Sequence, residues 1–132
     1  YMSYNAKPKA HYRVDRFLHS VPYEQVAEVY GQCDILLKSS FLESFSYPPL
    51  EMMASGGYVV AVPNGGNLEY LKDGENCILY PQGNLAEAKA AIERILTDAE
   101  LRKKLDTGAE ETVKERNWKR IEPQILEQYL GK

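Results

Sequence analysis

Glu43 and Glu51 enclose seven residues, among them Ser44, Phe45, Ser46 and Tyr47, and Ser39 and Ser40 stand just upstream. Carboxylates repel phosphate but accept paired hydrogen bonds from neighbouring hydroxyls, so both glutamates suit the hydroxyls of a ribose or hexose. Serine hydroxyls and the free amides of a helix start suit phosphate instead. Pro48 and Pro49 carry no NH, so a diphosphate here would rely on Phe45, Ser46, Tyr47 and the serine hydroxyls. Plainer readings stand beside these. Glu51 could complement a helix dipole, Glu43 could be an exposed loop charge, and Phe45 and Tyr47 could be packing anchors. A second candidate loop is Asn64-Gly65-Gly66, whose glycines permit tight turning or close approach.

These residues need elements to hold them. Residues 1–12 are expected to form a loop or frayed end, residues 13–80 an α/β part, and residues 84–130 a set of closing helices, together one domain. HYRVDRFLH alternates like a short strand, placed at 13–18. A helix follows Pro22, with Val26, Val29 and Tyr30 on one face and a stop near Gly31. DILLK reads as a strand buried on both faces, PPLEMMASGG as a helix ended by Gly56-Gly57, and YVVAV as another buried strand. A short helical piece is expected around Leu68–Leu71, a turn at Asp73-Gly74, then the strand CILY. Three helices close the chain, the first two capped by Asn84 and Asp98. Strands alternating with helices predict a Rossmann-like, doubly wound parallel sheet flanked by helices, in which ligands sit beyond the carboxyl ends of the strands. Both candidate loops lie there. About four strands are few for such a sheet, so an unpaired edge and self-association are expected.

Composition narrows the function. With 16 basic and 19 acidic side chains mixed along 132 residues, nothing favours nucleic-acid binding. The local cluster Lys7, Lys9, Arg13 and Arg16 reads as a solvated face ahead of a contact to anionic lipid or phosphate. Cys33 and Cys77 have no metal-like spacing, which predicts no zinc and a reduced, cytoplasmic setting. No signal-like or membrane-spanning run is visible. His11 and His19 flank a strand and read as structural or surface residues ahead of catalytic ones.

The segments ESFSYPPLE, FLHSVPYEQVAEVYGQCDILLKSS before it, and MMASGGYVVAV and NGGNLEYLKDGENCILYP after it resemble, in order, the donor-binding domain of retaining GT-B glycosyltransferases of the glycosyl transferases group 1 family. The tail, with Trp118 near the start of its last helix, extends the resemblance over most of residues 13–130. It implies transfer of a hexosyl or deoxyhexosyl group from a nucleoside diphosphate sugar to a glycan or lipid-linked acceptor, with retention and with no metal or cofactor. By resemblance, Glu51 holds the ribose hydroxyls, Glu43 faces the donor sugar as the catalytic carboxylate, and Ser40 and the loop Ser44 to Tyr47 line the donor's diphosphate side. Base selection would fall near His19 to Pro22. The chain departs from the family at Ser44 and Ser46, where glycines are usual, at Tyr47, where leucine is usual, and at Tyr58, where proline is usual. SYPPLE resembles bacterial rhamnosyltransferases that use a deoxythymidine-diphosphate sugar.

The resemblance also implies what surrounds these residues. Such domains open with a strand and helix whose Arg and Lys neutralise the diphosphate, then another strand. None of these is expected ahead of residue 13, nor is the acceptor-binding N-terminal domain. The chain is therefore expected to be the last two-thirds of a donor domain from a bacterial polysaccharide-biosynthesis enzyme, inactive alone. The parent enzyme would work in the cytoplasm, either free or at the inner face of the plasma membrane. Two other readings stay open. One is an epimerase or phosphorylase of this fold, of which an epimerase would turn over donor without acceptor, and the other is a non-catalytic domain of a multidomain synthase, which would bind no nucleotide.

Overall fold

The computed structural model describes residues 1–3 and 7–131. Along the described residues run β1 (Met2–Ser3), β2 (Leu18–His19), α1 (Tyr23–Gly31), β3 (Ile35–Lys38) and α2 (Tyr47–Ala54). They are followed by β4 (Tyr58–Ala61), β5 (Ile78–Leu79), α3 (Leu85–Thr97), α4 (Ala99–Glu115) and α5 (Trp118–Leu130). All strand pairing is parallel: β1 with β2, and β3-β4-β5 in that order. Ile35 stands opposite Tyr58 and Lys38 opposite Ala61, while Val60 stands opposite Ile78.

β4 is the centre. Its residues alternate between two cores, as a pleated strand requires. Val59 and Ala61 join Val26, Tyr30, Met52 and Ala109 on the side covered by α1, α2 and α4. Val60, with Val62 just past the strand, joins Ile78, Ala88, Ile95 and Leu105 on the side covered by α3 and by Leu105 of α4. Fully burying one such aliphatic side chain stabilises by about 1.5–3 kcal/mol, so this strand anchors both layers. Gly57 precedes it because a Cβ there would meet the Met52 side chain and, at 3.2 Å, the Asp34 carbonyl.

Asn84 Oδ1 accepts from the Glu87 amide at 3.1 Å while its Nδ2 donates to Glu87 Oε1 at 2.6 Å, a reciprocal cap on α3. Asp98 Oδ1 accepts from the Leu101 amide at 2.9 Å and starts α4, as the sequence predicts. The Tyr58 hydroxyl, standing where proline is usual, donates to Asp106 at 3.3 Å and joins β4 to α4. Buried Asn76 ties α4 to the 70–76 segment: its Nδ2 donates to Tyr70 O and Thr112 Oγ1, both at 2.7 Å, and its Oδ1 accepts from the Lys72 amide at 2.8 Å. α5 follows an Asn117 cap and buries none of its residues, and Trp118 is 65% exposed.

Several expectations need correction. The strand predicted at 13–18 shrinks to Leu18–His19, because its partner β1 is only two residues long. That partner is itself a correction: Met2–Ser3 is a strand in a stretch read as loop, and it stands ahead of residue 13, where none was expected. The loop reading of Tyr4, Asn5 and Ala6 lies outside the described residues. β3 is not buried on both faces. Among the described residues it pairs with β4 alone, and Leu37 is 49% exposed. Residues 65–70 form successive turns instead of a helix, and CILY narrows to Ile78–Leu79 with one bridge between Asp73 and Cys77. Lys7, Lys9, Arg13 and Arg16 are all exposed, in keeping with a solvated face.

Two outcomes follow. At an open helix position Gly→Ala stabilises by about 1 kcal/mol. At Gly108 the new Cβ would sit 2.3 Å from the Glu75 carbonyl, so Gly108→Ala is expected to destabilise by about 1–3 kcal/mol in urea unfolding. Burial, and secondarily the charge of Asp73, pushes the Cys77 thiol up to about 12, while Cys33 is exposed. The native chain is therefore expected to take one equivalent of a thiol reagent at pH 8, at Cys33, and a second only on unfolding.

Candidate functional site

The segment 39–46 leaves the carboxyl end of β3 and enters α2, and the segment 62–67 leaves the neighbouring carboxyl end of β4. The two are clasped by hydrogen bonds. Asn64 Nδ2 donates to Ser40 O at 2.9 Å, and the Ser46 amide donates to Gly66 O at 3.2 Å. Asn64 Oδ1 accepts from the Gly66 amide at 3.0 Å. Fully buried Asn67 braces the turn, its Oδ1 accepting from the Asn64 amide and its Nδ2 donating to Val62 O, both at 2.9 Å. Gly66 must be glycine, because a Cβ would stand 2.6 Å from the Glu43 carbonyl. Gly65 faces open space, so only one of the pair carries the steric requirement.

Lys38, the last residue of β3, reaches into this clasp. Its Nζ donates to Glu43 Oε1 at 2.6 Å and to Ser40 Oγ at 2.9 Å. The Lys38 and Glu43 side chains are 19% and 23% exposed. The bond from Lys38 holds the Glu43 carboxyl below the usual carboxylate range against the opposing effect of burial, and Ser40 adds to the lowering. Glu43 is therefore not a freely exposed loop charge.

The remaining loop residues divide by burial. Phe45 is half-buried, packs against the first core, and meets Tyr47 edge-on at 4.8 Å and Tyr70 at 5.6 Å. Tyr47 is 64% exposed and Ser44 is exposed. Ser46 is fully buried, caps α2 with its backbone alone, accepts the Tyr70 hydroxyl at its carbonyl, and leaves its own Oγ without a partner. Burial holds the Tyr70 phenol far above its ordinary range.

A helix start has four amides without intrahelical partners. In α2 the Ser46 amide is engaged by Gly66, and Pro48 and Pro49 have none, which leaves Tyr47 NH. Glu51 stands apart from the Lys38 cluster. It lines a groove of about 360 Å³ between α1 and α2, with Tyr23, Val26, Tyr30 and Ser55, and its carboxylate has no partner among the described residues. His11 stacks edge-on against Tyr12 and His19 lies 3.4 Å from Ser20 Oγ, both exposed. No group of three or more His, Cys, Asp or Glu that could hold a metal occurs among the described residues. No helix among them is long and apolar enough to cross a membrane.

Sequence reasoning missed Lys38, Asn67 and Tyr70. A lysine closing the apolar run ILL was a legible signal. The asparagine acts on Asn64 and Val62, 3 and 5 positions away, through its side chain, and the tyrosine on Ser46, 24 positions away, contacts that the apolar pattern does not show.

With this geometry in view, comparison with known proteins gives consistent matches. The family described as glycosyl transferases group 1 covers residues 10–112. The O-antigen biosynthesis protein RfbC of Myxococcus xanthus is 35% identical over 117 residues, 86% of this chain and 9% of that protein. A D-inositol 3-phosphate glycosyltransferase of Thermomonospora curvata is 30% identical over 116 residues, 88% of this chain and 27% of that protein. The chain thus spans about a quarter or less of these two relatives. Among solved structures, sucrose-phosphate synthase from Thermosynechococcus elongatus superposes with a TM-score of 0.78 at 27% identity, covering 88% of this chain and 29% of that one. HepE of Anabaena, in complex with UDP-glucose, gives 0.78 at 24% identity, covering 89% and 32%. These neighbours are GT-B glycosyltransferases, and the chain, with its parallel α/β fold and clasped loops, belongs to the glycosyl transferases group 1 family.

Proposed function

We propose that this chain supplies the donor side of a retaining glycosyltransferase that moves a hexosyl or deoxyhexosyl group from a nucleoside diphosphate sugar to a glycan or lipid-linked acceptor, without a metal or other cofactor. The observation that carries the reading is the separation of two carboxylates around one strand-to-helix loop. Glu43 is charge-paired and held in the clasp, and Glu51 lines the groove between α1 and α2 with no partner among the described residues. A fixed anion suits a sugar carbon that gains positive character as its bond to the diphosphate breaks. An unpartnered carboxylate suits a pair of ribose hydroxyls. Ser40 stands beside Glu43, and Ser44, Phe45, Ser46 and Tyr47 form the loop on the diphosphate side, where the Tyr47 NH and the amides of Ser44 and Phe45 would meet the anion.

The two glutamates are expected to fail differently when changed in the intact glycosyltransferase. Glu51→Ala removes contacts made to the nucleotide itself. A charged hydrogen bond contributes about 1.5–3 kcal/mol, so affinity for the nucleoside diphosphate is expected to fall on the order of ten- to a hundredfold. Glu43→Ala removes a contact to the transferred sugar, which the bare diphosphate lacks. Its diphosphate affinity is expected to stay near wild type while turnover drops. Calorimetric titration with diphosphate alongside steady-state kinetics separates the two. Wild-type binding by Glu51→Ala, or full turnover by Glu43→Ala, would remove that residue from the site.

A further inference from the structure

Lys38 is the one residue at this site whose charge the donor reading leaves unused. It extends from the carboxyl end of the edge strand β3, is largely buried, and spends its ammonium on two partners, Glu43 at 2.6 Å and Ser40 at 2.9 Å. Each partner is fixed from another direction. The Ser40 carbonyl accepts from Asn64, and the Glu43 backbone is pressed against Gly66. The ammonium is therefore seated between the strand end and the 39–46 loop, which Asn64 and Gly66 hold from the other side. We propose that Lys38 is a positioning residue for Glu43, aiming its carboxylate from the β3 end and balancing its charge so that the donor sugar meets a fixed anion.

A carboxylate on a loop without such a partner would rotate about its side-chain torsions and lose that freedom only at the transition state. Here Lys38 restrains it beforehand. Among the described residues, the charged and titratable groups facing Glu43 are Lys38 from β3 and, across the 65–70 turns, the Tyr70 phenol, which burial keeps neutral through the working range. Lys38 is thus the charged group that most lowers the Glu43 carboxyl. The sign follows directly. Lys38 lowers the Glu43 carboxyl, so its removal lets that carboxyl rise, and an activity that needs the anion then fails at a higher pH on the acid side.

This inference rests on the donor reading of Glu43, and the experiment separates the two. In the intact glycosyltransferase, Lys38→Met, Lys38→Arg, Glu43→Gln and the double variant Lys38→Met/Glu43→Gln are compared by kcat, by kcat/KM against pH, and by calorimetric titration with nucleoside diphosphate. Thermal unfolding checks that each variant is folded. Lys38→Met is expected to lower kcat by about tenfold or more, to move the acid limb of kcat/KM upward, and to leave diphosphate affinity within about twofold. Lys38→Arg, which keeps the cation, is expected to recover most of kcat and the wild-type limb. The double variant should be no worse than Glu43→Gln alone, because Lys38 acts through Glu43. If Lys38→Met does not fold, Lys38→Gln replaces it in every comparison. A loss of kcat with an unmoved acid limb, or losses that add in the double variant, would reduce Lys38 to a structural role and overturn the proposal. Full turnover by Glu43→Gln would instead remove the donor reading of Glu43, and this inference with it.

Discussion

A parallel strand buried on both faces needs a layer of helices on each side, and β4 imposes that requirement on the whole chain. Val59 and Ala61 demand cover from α1, α2 and α4, and Val60 and Val62 demand it from α3 and the start of α4. Parallel neighbours cannot be joined by hairpins, so each connection crosses over through a helix or a long loop and returns to the same edge. The carboxyl ends of β3 and β4 therefore lie side by side, and the loops leaving them are forced into contact. The clasp through Asn64, Gly66 and Ser46 is the product of that constraint.

The clasp in turn decides what the loop can do. With the Gly66 backbone against Glu43 and the Asn64 side chain holding Ser40, the segment 40–46 has little freedom left, although it has no regular structure. Lys38 completes it from the strand side. A lysine there would otherwise leave a largely buried ammonium uncompensated, and Glu43 would leave an anion. Each is tolerable at its depth because the other is within 2.6 Å.

The sheet and its helices were legible because they rest on local pattern. YVVAV, the amphipathic runs of α3 and α4, and the Asn84 and Asp98 caps all carry their signal within a few residues. What the sequence hid depends on partners. The alternation of HYRVDRFLH is real, but a strand extends only as far as its neighbour, and β1 offers two residues. DILLK has the composition of a central strand, yet composition cannot say whether both of its faces are covered, and Leu37 stands half in solvent. At the site, the Glu43 to Glu51 spacing was visible, while the ion pair to Lys38 and the steric need for Gly66 appear only when β3, its loop and the β4 loop are brought together.

The helix start shows how sequence departures and packing answer one another. Usually such a start attracts anions through several free amides, but α2 has traded two of them for Pro48 and Pro49 and a third for the bond to Gly66. The prolines pre-set the first turn, and Pro49 is buried in the core, so the exchange favours rigidity over donors. Ser44 and Ser46, standing where glycines are usual, act in the same direction by restricting the loop's torsions. A segment with few amides to offer can still present them well if they do not move. In this chain the helix terminus offers the Tyr47 NH, and the geometry of the remainder is set by the clasp, which makes the Asn64-Gly66 turn as much a part of the candidate site as the glutamates themselves.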